Sequence, residues 1–122
     1  MRGVPYTPAM SCLFCRIVAG EIAARKVFED AEIVAFDDVS PQAPMHVLVV
    51  PRAHVATLND LTSGHDQLVG AMVRRAAAIA RERGYAEGGY RTVFNCNADA
   101  GQSVFHLHLH LLGGRALGWP PG

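Results

Sequence analysis

The segment HLHLHLLGG, running from His106 to Gly114, constrains the fold more than any other stretch of the chain. Strict alternation of leucine and histidine has the period of a β-strand, whose successive side chains point to opposite faces. On a strand, His106, His108 and His110 share one face, and Leu107, Leu109 and Leu111 share the other. The leucine face needs a core, so this strand belongs to a sheet covered on at least one side. Neighbouring imidazoles start about 6.8 Å apart, twice the ~3.4 Å rise of an antiparallel strand. They can converge on one ligand or do separate tasks side by side.

Three readings compete for such a stripe: a solvated polar face, a metal-binding row, since imidazole is a common metal ligand, and nucleophilic or acid–base chemistry on a phosphate. The preceding residues favour the last. Gly101 lets the backbone approach a ligand closely. Gln102 and Ser103 add hydrogen-bond donors with little bulk. That set suits phosphate oxygens better than a metal alone.

The remaining pattern is that of one α+β domain. With 122 residues the chain suits a single domain able to bury a core. Residues 1–10, with two prolines and no period, read as a flexible tail, and 11–122 as the domain. Leu13, Phe14, Ile17 and Val18 recur at helical spacing, with Gly20 as the stop. Lys26–Glu29 and Glu32–Asp37 read as a strand pair, DDVSPQAPMH as a loop, and His46–Val50 as a buried strand closed by Pro51. Ser63 and Asp66 have capping-box spacing. A long helix follows, with Leu68, Met72, Ala76, Ile79 and Ala80 on one stripe and Gly84 at its end. Arg91–Cys96 and Ser103–Leu112 read as strands. Helices and strands do not alternate regularly, so the expected sheet is mostly antiparallel, with one short and one long helix on one side.

Charge and cysteine content narrow the function. Eleven basic residues balance eleven acidic ones, which argues against a nucleic-acid or membrane partner but not against a small anion. Three cysteines do not make a disulfide framework. With no signal-peptide pattern and no apolar run of spanning length, the expected setting is the reducing cytoplasm. Cys12-Leu-Phe-Cys15 is then a metal half-site, a redox pair, or two small buried hydrophobes.

HLHLHLL resembles the histidine-triad (HIT) signature, His-φ-His-φ-His-φ-φ with φ hydrophobic. AFDDVSPQAPMHVLVVP, FNCNADAGQSV, LLGGR and the terminal WPPG resemble the branch called histidine triad nucleotide-binding proteins (HINT), and together cover Cys12 to Gly122. The resemblance implies a HIT-like α+β fold, with the sheets of two protomers joined in a homodimer. It implies a hydrolase of purine nucleoside phosphoramidates, such as adenosine 5′-phosphoramidate and aminoacyl-AMP, acting through a nucleotidyl-histidine and without a catalytic cofactor. The bound moiety would be AMP, GMP or adenosine.

Carried onto matching positions, His108 is the nucleophile and His110 a phosphate contact. His46 is the active-site histidine paired with His110, and Ser103 a proton donor to the leaving amine. About three quarters of an unperturbed imidazole is neutral at pH 7, so a histidine nucleophile needs no unusual activation. Asn95 would donate to the phosphate, beside Gln102. Asp38 would accept from both ribose hydroxyls, next to Val39. Leu13, Phe14, Ile17, Ile22 and Phe36 would wall the base pocket. Trp119 would reach toward the partner protomer's site. Other bacterial members with a C-x-x-C bind a structural zinc, and the matching positions here are Cys12, Cys15, His54 and His106. Two rival functions remain: a dinucleoside polyphosphate hydrolase or phosphorylase of the same superfamily, and a nucleotide-binding regulatory module.

Overall fold

The computed structural model describes residues 12–122, and the tail expected at 1–10 lies outside them. In chain order the main elements are helix α1 (Leu13–Val18), strands β1 (Lys26–Glu29), β2 (Ile33–Asp37) and β3 (Met45–Pro51), helix α2 (Asp66–Glu82), and strands β4 (Tyr90–Phe94) and β5 (Leu109–Gly113). The sheet runs β1-β2-β3-β5-β4, and every neighbouring pair is antiparallel.

Every residue of β3 is buried, so both faces of the sheet centre must be covered. Alternate residues divide the work. Ile33, Ala35, Met45, Val47, Val49, Leu109 and Leu111 pack against Met72, Ala76, Ile79 and Ala80 of α2. Val34, Phe36, Leu48 and Val50 point the other way and pack against Phe14 and Ile17 of α1. The helices therefore lie on opposite faces, not on one side as the sequence pattern suggested. A fully buried central strand demands two covers, and one six-residue helix supplies the second.

Turn chemistry accounts for other boundaries. Asp30 accepts the N–H groups of Glu32 and Ile33, both at 2.8 Å, so β2 begins at Ile33 rather than Glu32. Before α2, the capping box is formed by Thr62 and His65, not Ser63 and Asp66. His65 Nδ1 accepts the Thr62 N–H at 2.9 Å. The helix stripe is as expected, with Leu68 partly buried at its start.

The last strand differs most. It begins at Leu109, and Val104–His106 form a bend. Contacts from a distant loop hold this bend. The Leu107 N–H donates to the Val55 carbonyl at 2.6 Å, and His106 Nε2 to the Pro51 carbonyl at 2.7 Å. Leu107, Leu109 and Leu111 still enter one core, as the alternation requires. The three histidines, however, do not share one strand face.

Candidate active site

The β3–β5 register pairs Leu48 with His110 and His46 with Leu112, so His46 and His110 are diagonal neighbours on the α1 face. His46 Nε2 lies 2.9 Å from His110 Nδ1. His108, one residue before β5, stands beside them, with its ring centre 4.9 Å from that of His110. Phe14 presents an edge contact to His108 at 5.0 Å and to His106 at 6.0 Å, so α1 wedges between the two imidazoles. His106 is fully buried and turned away from the other two.

One hydrogen bond sets the chemistry of His108. Its Nδ1 is 2.7 Å from the His106 carbonyl. A carbonyl only accepts, so the ring proton sits on Nδ1 and the Nε2 lone pair is left free. Burial pushes His108 below the ordinary histidine pKa, against the opposing effect of that carbonyl, and so favours the neutral ring. Burial lowers His46 as well, opposed by Asp38. His110 falls to about 4, through burial first and then the charges of His108 and His46.

A cavity of about 370 Å³ opens on this cluster. Leu13, Phe14, Ile17, Ile22 and Phe36 line it, and Asp38, Val39, Ser103, His108 and His110 complete the set the sequence singled out. His46 stands behind His110, with the Asp38 carboxylate 3.5 Å from its Nε2. Sequence reasoning missed Leu48 and Val104, which also line the cavity. Leu48 was legible in principle, because it lies two residues from His46 on one strand and so shares its face.

Three assigned residues lie elsewhere. The Gln102 side chain is spent on the loop: its amide donates to the Ala56 and Val104 carbonyls and its oxygen accepts the Asn97 N–H. It braces the bend before His106 and is not among the cavity's lining residues. Asn95 sits one residue beyond β4, also outside the lining. Trp119 is 82% exposed, in a tail tied to β4 by the Arg91 side chain donating to the Gly118 carbonyl.

A second cluster joins Cys12, Cys15, His54 and His106. Their four ligating atoms all lie within 4.8 Å of one another. His106 Nδ1 is 3.3 Å from Cys12 Sγ and 3.4 Å from Cys15 Sγ, and His54 Nδ1 is 3.2 Å from Cys15 Sγ. His106 donates its Nε2–H to Pro51, so its Nδ1 lone pair faces the two sulfurs. Burial, followed by the neighbouring Cys12, pushes the Cys15 thiol up to about 11, a barrier a bound cation would reverse. Two sulfurs and two imidazoles, with no fifth donor grouped with them among the described residues, fit a closed tetrahedral ion of the zinc type. Asp38, His46 and His110 are as tightly grouped. There the Gln42 N–H occupies the His46 Nδ1 lone pair at 3.0 Å, which puts the ring proton on Nε2, the atom a metal would need.

The family described as "Scavenger mRNA decapping enzyme C-term binding" matches residues 11–117. The purine nucleoside phosphoramidase of Escherichia coli K12 is 46% identical over 110 residues, 90% of this chain and 92% of that protein. A HIT family hydrolase from Legionella pneumophila superposes with a TM-score of 0.91 at 52% identity, covering 92% of this chain and 100% of the other. This chain belongs to the histidine triad family. A zinc-bound histidine triad protein from Mycobacterium smegmatis shares the fold at a TM-score of 0.76 and 34% identity, covering 88% of this chain and 77% of that one. No helix among the described residues is long and apolar enough to cross a membrane.

The His110 environment has a measurable consequence. Its folded pKa lies below the unfolded value near 6.5, so the unfolded chain takes up this proton first. The contribution of His110 to stability is complete above pH 6.5 and is lost as pH falls toward about 4. Titration of the His110 ring by NMR should give a midpoint near 4. A midpoint at or above the ordinary histidine value contradicts the buried, neutral ring.

Proposed function

We propose that this triad protein hydrolyses purine nucleoside phosphoramidates through a covalent intermediate on His108. The observation that carries the reading is the His108 Nδ1–His106 carbonyl bond at 2.7 Å, which exposes a nucleophilic Nε2 in an apolar cavity beside a carboxylate. The similarity to a purine nucleoside phosphoramidase supports the choice of substrate class.

In this reading the base enters among Leu13, Phe14, Ile17, Ile22 and Phe36. Walls that are largely apolar recognise a flat ring without reading its exchangeable edges closely, so adenine and guanine nucleotides both fit. Asp38 accepts from the ribose hydroxyls beside Val39. His108 Nε2 attacks the α-phosphorus, forming a P–N bond as the bond to the amine breaks. The departing amine takes a proton from the Ser103 hydroxyl. The modified imidazole gains positive charge, which the His106 carbonyl offsets through a charge-assisted bond. His110 stabilises the phosphoryl oxygens. Water then attacks phosphorus and gives a proton back to the Ser103 oxygen, the P–His108 bond breaks, and the nucleoside monophosphate leaves with the ring and the hydroxyl restored.

Two structural parts complete the proposal. Zinc at Cys12, Cys15, His54 and His106 ties α1 to the bend before His108, so His106 acts as a ligand and not as a base. The zinc-bound M. smegmatis neighbour supports this assignment. The partner is a second copy, with the sheet continued through β4, which is paired on one side only among the described residues.

Turnover of adenosine 5′-phosphoramidate should exceed that of diadenosine polyphosphates, and His108→Ala should lose at least about 10³-fold in kcat/KM while still folding. A retained rate in the variant overturns the nucleophile, and a preference for the polyphosphates transfers the chain to the rival activity. Metal analysis of protein purified without chelator should find near-stoichiometric zinc, and His106→Ala should lower zinc content and Tm together. Metal-free protein with an unchanged Tm refutes the zinc site.

A further inference from the structure

The SPQAP loop, Ser40 to Pro44, and the GGR turn, Gly113 to Arg115, are separated by some seventy residues. They meet at Gln42. The Gln42 N–H donates to His46 Nδ1 at 3.0 Å. Arg115 Nε donates to the Gln42 carbonyl at 2.9 Å, and the Gln42 side chain closes onto the Ser40 carbonyl at 3.0 Å. Ser40 in turn donates its N–H to Asp38 at 2.8 Å. The close approach of the two segments depends on Gly114, whose φ is +95° and whose added Cβ would lie 2.8 Å from Pro44 Cβ. That position admits only glycine without strain.

The consequence is a defined order of protons. An N–H aimed at His46 Nδ1 forces that nitrogen to accept, so His46 carries its proton on Nε2. His46 Nε2 is 2.9 Å from His110 Nδ1, so His110 Nδ1 must accept in turn. His110 is then left with its proton on Nε2, as a donor. In the opposite order His46 Nδ1–H would meet the Gln42 N–H head on, and His110 would present a lone pair, which repels a phosphoryl oxygen. We propose that Gln42, through its backbone N–H, and Arg115, through Gln42, are positioning residues that make His110 a hydrogen-bond donor to the phosphate. The proposal rests on the phosphoramidate reading for its catalytic effect, while the proton order itself does not depend on any substrate.

Gln42→Pro removes the N–H, Gln42→Ala keeps it, and Arg115→Ala releases the carbonyl anchor of the same residue. Two-bond 1H–15N correlation spectra read the ring tautomers directly. In wild type and Gln42→Ala, both His46 and His110 should be protonated at Nε2. In Gln42→Pro the two rings should show mixed tautomers, and kcat on adenosine 5′-phosphoramidate should fall by about 10²-fold with KM little changed. Arg115→Ala should shift both readouts the same way by a smaller amount, and Arg115→Lys, which restores a donor, should recover most of the loss. If Gln42→Pro does not fold, the Arg115 pair decides, because that side chain is exposed and absent from the cavity. Wild-type tautomers in the Arg115→Ala protein, or a Gln42→Ala defect equal to that of Gln42→Pro, overturns the proposal. Correct tautomers in a wild type without phosphoramidase activity would instead overturn the reaction and leave the proton order standing.

Discussion

A single hydrogen bond, from His108 Nδ1 to the carbonyl two residues back, is the contact on which the site depends. It decides which nitrogen of His108 holds the proton and which is free to react. The bond exists because the chain bends at Val104–His106, and that bend is held from outside. Leu107 bonds to Val55, His106 to Pro51, and Gln102 to Ala56. The segment following β3 is therefore the template on which the triad is shaped. A regular strand through the triad would have aimed all three imidazoles alike. The bend separates them, sending His106 to the cysteines and leaving His108 and His110 together at the cavity.

The sheet divides its labour by face. On one face the α2 helix and three leucines of the triad segment form the main core, which holds β5 rigid. On the other, the short α1 covers only part of β2 and β3, and the uncovered remainder is where the cavity opens. Phe14 belongs to both functions, packing under Phe36 at 5.4 Å while touching His108. α1 is too short to be stable alone, so its placement depends on those contacts and on the cluster at Cys12, its N-cap.

Much of this was legible in the sequence because it follows from periodicity. The alternation of leucine and histidine correctly placed Leu107, Leu109 and Leu111 in one core, and the helical stripe from Leu68 to Ala80 found its face. The apolar residues near Cys12 and Phe36 and the polar residues Asp38, Ser103, His108 and His110 do line one cavity. What stayed hidden was set by distant partners. Nothing local to Ser103–His108 says that Val55 and Pro51 will interrupt the strand, and nothing in Gln102 says that its amide will be consumed by backbone. The same holds for Gln42, which meets His46 through a main-chain N–H that every residue type but proline possesses, and for Arg115, whose guanidinium meets the main-chain carbonyl of Gln42. The sidedness of the helices was missed for a related reason: an all-buried β3 requires two covers, but one of them is only six residues long.

The nucleophile is tested most directly by stopping the reaction before water completes it. Adenosine 5′-phosphoramidate, mixed with the protein and quenched in alkali to preserve phosphohistidine linkages, should leave a fraction of chains heavier by one adenylyl group. Fragmentation of the modified peptide should place that group on His108. An adduct on His110 or His46, or rapid turnover with no adduct at any quench time, contradicts the assignment.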